Sequence, residues 1–495
     1  GRQAAIEASI EYQDIDFYSE YREEDFSPYE NINLAQALAY DVEISTAMIS
    51  IMDGGYMVNG AGHASTHQDL DTLEIKLVEG AYYGAADFNY VHGTQVAVIA
   101  AGDLDGDNGL MGVAPGAQLH LADIYASGFH PEVWALLVED AELQSVDVQN
   151  NSWGFDDSQY GEFEDWAANS ATISSYVNKK DEEGWTGAET LYAFQHLDTD
   201  GNGYNDILLG TEASTDAWQA YIDALDSLQD QAPIVFAITN NFEFTDADVS
   251  AALPELFPEL EEAWISVVNV DIQGQDELIY ELYSGPCGST AEYCMAADGT
   301  DITLPKYSDA INEYTQEMGT SFAAPQVSGA IALLSVHFPN HTPEQLVDRL
   351  LASANNDIGF DHTGYVTFGN GVMHGYSHEA GHGILDVYAA LLPITSSSYS
   401  ARIYAGEGSL TNQGYAIEST SLVASRSFGN TISNSLQGVS SYYYDALGGG
   451  FDFELSELTR FNDEPTRLVK SLHENISALN SVANLSQQAT NKWHA

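Results

Sequence analysis

Basic residues are scarce in this chain of 495 residues, because 13 Lys and Arg stand against 75 Asp and Glu, a formal net charge of −62. A surface this acidic repels phosphate backbones and anionic headgroups, so the composition excludes nucleic-acid binding and disfavours docking to an anionic membrane face. Two explanations of the acidity stay open. It suits a soluble protein in salty water, where counterions screen self-repulsion, and it is equally typical of a general acidic bias without functional meaning.

Long apolar runs are also missing, and no stretch approaches the roughly 18 apolar residues that a membrane helix needs. The first 30 residues form an acidic N-terminal segment that lacks the apolar centre of a signal peptide. We therefore expect no transmembrane segment in this chain, and we expect any signal peptide to have been removed already.

Cysteine is nearly absent, since the chain has only Cys287 and Cys294, seven positions apart. This spacing can close a small loop through a disulfide, and it differs from the C-x-x-C spacing of redox and zinc sites. So few thiols are typical of an exported protein, which predicts a secreted location.

Short apolar runs alternate with helix-like segments from residue 31 to residue 392. Continuous apolar runs bounded by turn residues predict buried strands, and strands that alternate with helices predict a mostly parallel sheet covered on both faces. The fold class is therefore α/β. The predicted strands are AMISIMDGG, AQLHLADIY, VDVQNNSWG, PIVFAITNN and WISVVNVDI, and the clearest predicted helices are SGAIALLSVHF, TPEQLVDRLLASA and DAWQAYIDALDSL.

The composition changes after residue 392, and residues 393–495 form a predicted C-terminal extension. A polar linker, TSSSYS, precedes a stretch rich in Ser, Tyr and Gly, in which FDFELSEL alternates like a strand. Apolar residues at helical spacing from about Thr466 predict a terminal helix.

The segment Gly319–Pro325, GTSFAAP, carries the clearest chemical signal. It places Ser321 among small residues at the start of a buried helix, where the helix N-terminus favours developing negative charge. A serine hydroxyl is a weak nucleophile, and it needs a base that is oriented in turn by a carboxylate. His92 in the sequence HGT and Asp53 at the end of an apolar strand are the candidates for these two roles.

The order Asp53, His92, Ser321, together with the HGT and GTSFAAP motifs, resembles that of the subtilisin-like serine proteases, or subtilases. The resemblance extends over residues 31–392. It implies a three-layer α/β domain that hydrolyses peptide bonds in proteins or peptides through an acyl-enzyme on Ser321. His92 would act as general base and then acid, and Asp53 would hold the imidazole tautomer.

Two more features of the family have counterparts in this chain. The resemblance implies that Asn240, which ends the strand VFAITN, is the oxyanion asparagine, with Asn241 as the adjacent alternative. It also implies that Ser152, Trp153 and Gly154 form the edge segment that pairs with the substrate backbone, a case of strand addition.

The chain departs from the family pattern at three positions close to these motifs. Gly54 follows the aspartate where Thr or Ser is usual, and Gln95 stands where a second histidine is common. Thr239 replaces the glycine before the oxyanion asparagine, which predicts a narrower primary pocket or a displaced Asn240. None of these changes removes a catalytic group.

A second protease motif competes with the first, because the stretch His378–His382 matches H-E-x-x-H, the signature of zinc proteases. That chemistry requires both histidines one turn apart on a helix and a third ligand beyond. The preceding residues 369–376 are turn-like, and the position of the third histidine is Tyr388. A zinc metalloprotease stays as one alternative, and a catalytically inactive subtilase-like adhesin or binding module stays as another.

Two acidic loops are candidates for structural calcium, which subtilases commonly use, and we expect no organic cofactor. The loop at residues 198–206 lies in a long insertion, about 155–232, and has oxygen donors in the order of a calcium loop, with Leu209 where a glutamate would end it and Glu212 nearby. The loop at 103–109 has alternating carboxylates. The candidate ligands are Asp198, Asp200, Asn202, Tyr204 through its carbonyl, and Asp206, and less strongly Asp103, Asp105 and Asp107.

The C-terminal extension resembles the region between passenger and barrel of autotransporter subtilases, because of the stretch YYYDALGGGFDFELS and the predicted terminal helix. This resemblance implies a protein that is secreted, or held at a bacterial cell surface before release. It also implies that the chain was once linked to an outer-membrane barrel.

Overall fold

The computed structural model divides the chain into two compact units, Gly1–Ser396 and Ser397–Ala495. The structure describes residues 1–13, 15, 27–40, 44–61, 65–78, 91–106, 109–125, 130–154, 172–195, 214–273, 279–306, 313–359, 361–396, 402–403, 415–416, 422–425 and 431–462.

The central sheet of the first unit contains eight strands within these residues. They are β1 (Met48–Asp53), β2 (Ile75–Leu77), β3 (Gln118–Asp123), β4 (Val148–Asn151), β5 (Ile234–Ala237), β6 (Trp264–Gln273), β7 (Ile279–Leu282) and β8 (Cys294–Ala297). Their spatial order is β2-β3-β1-β4-β5-β6-β7, with β8 also paired to β6. Every pair is parallel except β6 with β7. The predicted strands and the mostly parallel sheet are confirmed.

The helices of this unit come mainly between the strands. They are α1 (Arg2–Ile6), α2 (Ile10–Gln13), α3 (Pro28–Asn31), α4 (Leu34–Leu38), α5 (His92–Ala101), α6 (Pro131–Gln144), α7 (Ile173–Glu183), α8 (Gly187–Gln195), α9 (Thr215–Gln229), α10 (Thr320–His337), α11 (Pro343–Ser353) and α12 (Val387–Leu391). Short 3₁₀ helices cover Ile44–Thr46, Gln68–Leu70, Leu253–Glu255, Pro258–Glu261, Gly288–Tyr293 and Gly369–Gly371.

Helices cover both faces of the sheet, which makes three layers. Successive strand side chains point to opposite faces. On one face, Met52 of β1 belongs to the same buried cluster as Trp134 of α6 and Trp218 of α9. On the other face α5 and α10 pack against each other, with α5 on β1 and α10 on β4, β5 and β6. The predicted three-layer α/β fold is confirmed.

The helix α10 is buried almost all round, from Thr320 to Leu334. A helix that is apolar on every side is stable only inside a protein, so α10 lies in the interior between the sheet and its neighbours. Helix α11 follows it and begins with a capping box, in which the Thr342 hydroxyl accepts from the backbone of Gln345 and the Gln345 side chain accepts from the backbone of Thr342.

The insertion at about 155–232 contains α7, α8 and α9, and the chain then continues into β5. The apolar stripe of α9 is buried, and its members are Trp218, Tyr221, Ile222, Leu225 and Leu228. Helix α9 packs against α6. The insertion therefore contributes to the core on one face of the sheet.

Three smaller features complete the first unit. Strands β9 (Ile302–Pro305) and β10 (Tyr314–Glu317) form one antiparallel pair, and β11 (Gly364–Phe368) and β12 (Val372–Tyr376) form another. A disulfide joins Cys287 to Cys294 around a 3₁₀ turn, as their spacing permits. Near the N-terminus, the buried Tyr29 hydroxyl donates to the carbonyl of Met111.

The second unit is described only in part. It contains β13 (Arg402–Ile403), β14 (Tyr415–Ala416), β15 (Leu422–Ser425), α13 (Thr431–Ser435), β16 (Ser440–Tyr444), β17 (Gly450–Glu454), a 3₁₀ helix (Leu455–Leu458) and β18 (Thr459–Asn462). Strands β16 and β17 are an antiparallel pair, which confirms the strand predicted in FDFELSEL. The predicted helix from Thr466 lies outside the described residues. Over the part of the chain that the structure describes, no helix has the length and apolar character to cross a bilayer.

Candidate active site

Asp53 and His92 are in direct contact where β1 ends and α5 begins. The two carboxylate oxygens of Asp53 lie 2.9 and 3.0 Å from His92 Nδ1. Asp53 is 1% exposed, and its Oδ1 also accepts from the backbone N–H of Gly54 at 2.7 Å. A carboxylate can only accept, so this contact requires the proton on Nδ1 and leaves Nε2 of a neutral His92 as the basic atom.

The HGT motif holds the start of α5 against the turn that follows Asp53. The N–H of Gly93 donates to the carbonyl of Gly54 at 2.7 Å, and the N–H of Thr94 donates to that of Gly55 at 3.2 Å. The Thr94 hydroxyl accepts from the N–H of Met57 at 2.6 Å. The first N–H groups of a helix have no partner within it, so these bonds satisfy them and fix His92 relative to Asp53.

The charges around His92 counteract the effect of burial on its pKa. Burial by itself lowers the pKa of His92, but the charge and hydrogen bond of Asp53, together with the charge of Glu317, outweigh that effect and raise the pKa above its ordinary value. The imidazolium is therefore favoured, which suits a residue that must take up and hold a proton during a reaction.

Ser321 is the second residue of α10 and lies beside the predicted edge segment. Its hydroxyl donates to the carbonyl of Ser152 at 3.2 Å, and the Ser152 hydroxyl donates to the carbonyl of Ser321 at 3.0 Å. The next residue, Phe322, places its ring 5.7 Å from the ring of His92. The structure thus brings Ser321 and the Asp53–His92 pair to the same region. Rotation about the Cβ–Oγ bond of Ser321 turns the hydroxyl proton away from the carbonyl of Ser152.

The side chain of Asn240 is fixed by the start of α10. Its Oδ1 accepts from the N–H of Thr320 at 2.8 Å and from the Thr320 hydroxyl at 3.1 Å. A backbone N–H only donates, so the amide orientation is determined and Nδ2 is left as a donor. A Cβ on Gly319 would approach Asn240 Oδ1 to 3.1 Å, which accounts for a glycine there.

The neighbouring Asn241 has a local structural role. Its Oδ1 accepts from the backbone N–H of Glu243 at 3.0 Å, which closes a short turn. Of the two asparagines at this strand end, only Asn240 contacts the helix that carries Ser321, and the geometry therefore favours Asn240 as an oxyanion donor.

A small cavity of about 60 Å³ lies beside Ser321. The predicted edge segment forms one side of it, and the end of β5 with the following residues forms another. Its lining residues are Ser152, Trp153, Gly154, Ala237, Ile238, Thr239, Asn240, Asp248, Thr320 and Ser321. Ser321 and Asn240 thus border the same cavity as the edge segment.

Two of the departures from the family pattern have a structural explanation. The Gln95 side chain donates to the carbonyl of Pro305 at 3.0 Å, which ties α5 to β9. The Thr239 hydroxyl accepts from the N–H of Asn241, and its methyl group lies against Gly285, where a Cβ would come within 2.9 Å. Both atoms of the Thr239 side chain beyond Cβ are therefore engaged by the loop around it.

The third departure, Gly54, makes room for an aromatic ring. A Cβ on Gly54 would lie 2.5 Å from Cδ2 of Tyr125, and Tyr125 is 50% exposed. Real Cβ atoms do not approach a ring this closely, so the Tyr125 ring occupies the space that Thr or Ser would take in the family pattern. Neither Tyr125 nor this contact was predicted from the sequence, because 71 positions of chain separate the two residues.

Replacing Gly54 by serine is expected to displace the half-exposed Tyr125 ring and to lower the free energy of unfolding by about 1 kcal/mol, the lower end of the cost of overpacking. Thermal unfolding followed by circular dichroism measures the effect. Gly154→Ala is the matched control, because a Cβ there meets its nearest atom at an ordinary 3.4 Å. A Gly54→Ser protein as stable as the Gly154→Ala protein would contradict this explanation.

The zinc-protease alternative lacks the helix that it requires. The stretch His378–His382 forms a turn closed by an antiparallel bridge between Ser377 and Gly381. His378 is exposed, whereas His382 is buried. The Nδ1 of His382 lies 2.9 Å from His374 Nδ1, and its Nε2 lies 3.0 Å from the carbonyl oxygen of Glu292. The two histidines of the motif therefore do not share a helix face, and H-E-x-x-H is a chance match here.

The predicted calcium ligands are described only in part. Burial raises the pKa of Asp103 to about 6, and the Thr72 hydroxyl donates to its carboxylate. Asp107 and the whole loop 198–206 lie outside the described residues. Among the residues that are described, no group of three or more His, Cys, Asp or Glu is arranged to hold a metal ion. Calcium therefore stays a prediction.

A parallel α/β sheet with an Asp–His pair at one strand end and a serine at the start of a buried helix defines the subtilisin-like class. The model of the Subtilase family (peptidase S8) matches residues 45–383. This match covers more than half of the chain, which therefore belongs to the subtilase family.

Two curated relatives match this chain over less than half of their own length. Serotype-specific antigen 1 of Mannheimia haemolytica is 24% identical over 371 residues, which are 67% of this chain and 38% of the relative. Extracellular serine protease of Serratia marcescens is 29% identical over 145 residues, 26% of this chain and 13% of the relative. The chain thus spans well under half of the length of these relatives.

The solved structures that are similar to this chain are distant from it in sequence. Fervidolysin from Fervidobacterium pennivorans, described as a keratinolytic enzyme related to subtilisin, is 19% identical with a TM-score of 0.47, covering 79% of this chain and 50% of that one. MycP1 from Mycobacterium smegmatis is 16% identical with a TM-score of 0.43, covering 76% and 87%.

Proposed function

We propose that this protein is a secreted serine endopeptidase in which Asp53, His92 and Ser321 act as the catalytic triad. The observation that carries the proposal is the contact of Asp53 with His92 Nδ1, because it leaves Nε2 as a base in the region where Ser321 begins a buried helix. In this arrangement a weak hydroxyl nucleophile has both a base and a carboxylate that orients the base.

The proposed reaction follows from these positions. Ser321 Oγ attacks the carbonyl carbon of the peptide bond while its proton moves to His92 Nε2, and His92 then gives that proton to the leaving amine. A water molecule, deprotonated by the same nitrogen, attacks the acyl-enzyme. The bond from the acyl carbon to Ser321 Oγ then breaks, Nε2 returns the proton to Oγ, and the acid is released. Asn240 Nδ2 and the N–H of Ser321, which lies in the first turn of α10, would donate to the oxyanion.

The edge segment is proposed to hold the substrate backbone. The ring of Trp153 packs 4.9 Å from Trp134 and 5.5 Å from Phe236, so its side chain is directed into the core and anchors this stretch. The backbone around Ser152 and Gly154 is then available to pair with an extended peptide. Protein or peptide substrates fit this arrangement.

The proposed location is extracellular or at a bacterial cell surface. One curated relative is named an extracellular serine protease and another a serotype-specific antigen. The disulfide between Cys287 and Cys294 is compatible with an oxidising compartment. An autotransporter origin, with a barrel once attached beyond the C-terminal extension, is part of the same proposal. It is tested by comparing the secretion of the full-length gene product with the secretion of the same product without the barrel.

Hydrolysis of casein in the presence of class-specific inhibitors tests the proposed function. We expect a serine-directed fluorophosphonate to stop hydrolysis and the zinc chelator 1,10-phenanthroline to leave it unchanged. The opposite pattern would contradict the serine mechanism. If neither casein nor short peptides are cleaved by folded protein, the inactive binding module becomes the better description.

The acid limb of the activity is expected to depend on Glu317, an exposed residue of β10 that helps to raise the pKa of His92. Only neutral His92 is a base, so a raised pKa places the loss of kcat/KM at higher pH, and Glu317→Gln should move it to lower pH. Added salt should move the wild-type limb in the same direction, because it screens the charge. Rate–pH profiles at low and high salt measure both shifts.

Glu313→Gln is the matched control for this prediction, since Glu313 is also exposed and immediately precedes β10. It should leave the acid limb closer to that of wild type. Equal shifts for the two variants, or a wild-type limb that does not respond to ionic strength, would contradict the assignment to Glu317.

Structural calcium at the loop 198–206 is also part of the proposal, supported by the order of oxygen donors in its sequence. Removing calcium with EGTA should lower Tm, because an ion that binds only the folded state stabilises it. Restoring calcium should restore Tm, whereas magnesium at the same concentration should not. A Tm that is unaffected by EGTA would contradict a structural calcium site.

A further inference from the structure

The cavity beside Ser321 contains a buried carboxylate. Asp248 is 1% exposed, and of the described residues that line the cavity it alone carries a formal charge. It lies eight positions after Asn240, in an irregular segment between β5 and β6. A charged group is rarely buried without a specific role, because removing it from water is costly.

The carboxylate faces a wall of the cavity that has no side chain. A Cβ on Gly154 would lie 3.4 Å from Asp248 Oδ1 and 3.5 Å from the hydroxyl oxygen of Ser250, both ordinary contacts. Because Gly154 has no Cβ, nothing from this residue separates Oδ1 from a group that passes along the edge segment. The edge segment is where the substrate backbone is proposed to lie.

Backbone donors hold the carboxylate in this orientation. Asp248 Oδ2 accepts from the N–H of Thr239 at 2.7 Å, and Oδ1 accepts from the N–H groups of Ser250 and Ala251 at 3.0 and 3.3 Å. These bonds stabilise a negative charge at the cavity, and each carboxylate oxygen can accept more than one hydrogen bond. A carboxylate that is held in place by backbone donors can recognise a cation without having to reorganise.

We propose that Asp248 makes the cavity selective for lysine or arginine as the substrate residue that precedes the cleaved bond. This inference rests on the proposed function and specifies its substrate class. The cavity of about 60 Å³ is small, which suits a slender aliphatic stem better than an aromatic ring. At its wall the Asp248 carboxylate accepts a charge-assisted hydrogen bond from the ammonium or guanidinium group.

Substrate residues with apolar side chains of the same length bind less favourably in this cavity. An uncharged stem covers the Asp248 carboxylate without adding a charged donor to it, and that desolvation opposes binding. The general negative field of the protein also favours cationic substrates, but salt screens that field much more than it screens a buried pair. The preference that Asp248 creates should therefore persist at high ionic strength.

Asp248 also connects the cavity to the oxyanion donor, because its Oδ2 holds the N–H of Thr239, the residue before Asn240. A variant at Asp248 should therefore slow the cleavage of every substrate to some extent. The ratio of kcat/KM between two substrates that differ only in charge removes this common effect, and it is the quantity to measure.

The experiment uses two fluorogenic peptides that are identical except for lysine or methionine before the cleaved bond, assayed at high salt. For the wild type we expect kcat/KM for lysine to exceed that for methionine about 10-fold or more, because a hydrogen bond to a charged group contributes a factor of this order. Asp248→Asn should reduce the ratio to about 1. Glu243→Gln, which removes an exposed carboxylate from the same loop, should leave the ratio unchanged.

A second variant covers the case in which Asp248→Asn fails to fold. Gly154→Ala places a methyl group in ordinary contact with Asp248 Oδ1 at the lining of the cavity, and should also lower the lysine-to-methionine ratio. Labelling of Ser321 by a fluorophosphonate on the same preparations separates the two hypotheses. A labelled wild type that prefers methionine, or variants that keep the wild-type ratio, would overturn the role of Asp248 while the serine mechanism stands. An unlabelled and inactive wild type would overturn both.

Discussion

Replacing Ser321 by alanine is expected to lower kcat/KM for peptide hydrolysis by about 10⁴- to 10⁶-fold, because the triad acts as a unit and the loss of its nucleophile removes the acyl-enzyme route. Ser321 is the second residue of α10, and its hydroxyl donates to the carbonyl of Ser152, so the change removes one oxygen atom and one hydrogen bond. The rate of cleavage of a fluorogenic peptide by purified wild type and variant measures the effect.

The fold of the variant must be shown to be intact. Its Tm should stay close to that of the wild type, and Ser335→Ala serves as the matched control, since Ser335 lies 14 positions further along the same helix, where its hydroxyl bonds to the carbonyl of Ala332 and to the side chain of Asp147. That control should keep nearly full activity. If Ser321→Ala retains more than a small percentage of the wild-type rate, the nucleophile has been assigned to the wrong residue.

Replacing Asn240 by alanine is the second large effect that we expect, with kcat lower by about 10²- to 10³-fold and KM little changed. An oxyanion donor acts on charge that exists only in the transition state, so its loss affects kcat rather than substrate binding. Full kinetic curves with one peptide substrate separate the two parameters.

Asn241→Ala distinguishes this role from a general disturbance of the loop. Asn241 Oδ1 accepts from Glu243 in a local turn, whereas Asn240 Oδ1 accepts from Thr320 at the start of α10. The Asn241 variant should therefore lose far less activity than the Asn240 variant. Similar losses in kcat, or a loss in the Asn240 variant that falls on KM, would contradict the oxyanion assignment.

Five strands of the central sheet, β1, β3, β4, β5 and β6, were predictable from the sequence because they are almost wholly buried. Strands of this kind are continuous apolar runs, such as the run that ends at Asp53, and local pattern alone identifies them. Helix α10 was predictable for a similar reason, since its residues are apolar on every side. The HGT and GTSFAAP motifs then identified His92 and Ser321 without any knowledge of distances.

The features that the sequence did not reveal depend on contacts between irregular segments. Asp248 carries no motif, and only the fold brings it beside Gly154 at the cavity. The packing of Tyr125 on Gly54 likewise joins the ends of two neighbouring strands, where local pattern says nothing about side-chain contact. The H-E-x-x-H match is the opposite case, a sequence pattern without the structure that it requires. Residues 378–382 form a turn, and without a helix the two histidines are not placed to bind one zinc ion.

The most direct test of the central claim is to identify the residue that a fluorophosphonate modifies in the active protein. The probe reacts only with a serine that has an assembled base and oxyanion site. Digestion and mass spectrometry should place one adduct on the peptide that contains Ser321, with none in the Ser321→Ala or His92→Ala proteins. An active protein that is modified at another residue, or hydrolyses peptides without being modified, would contradict the account.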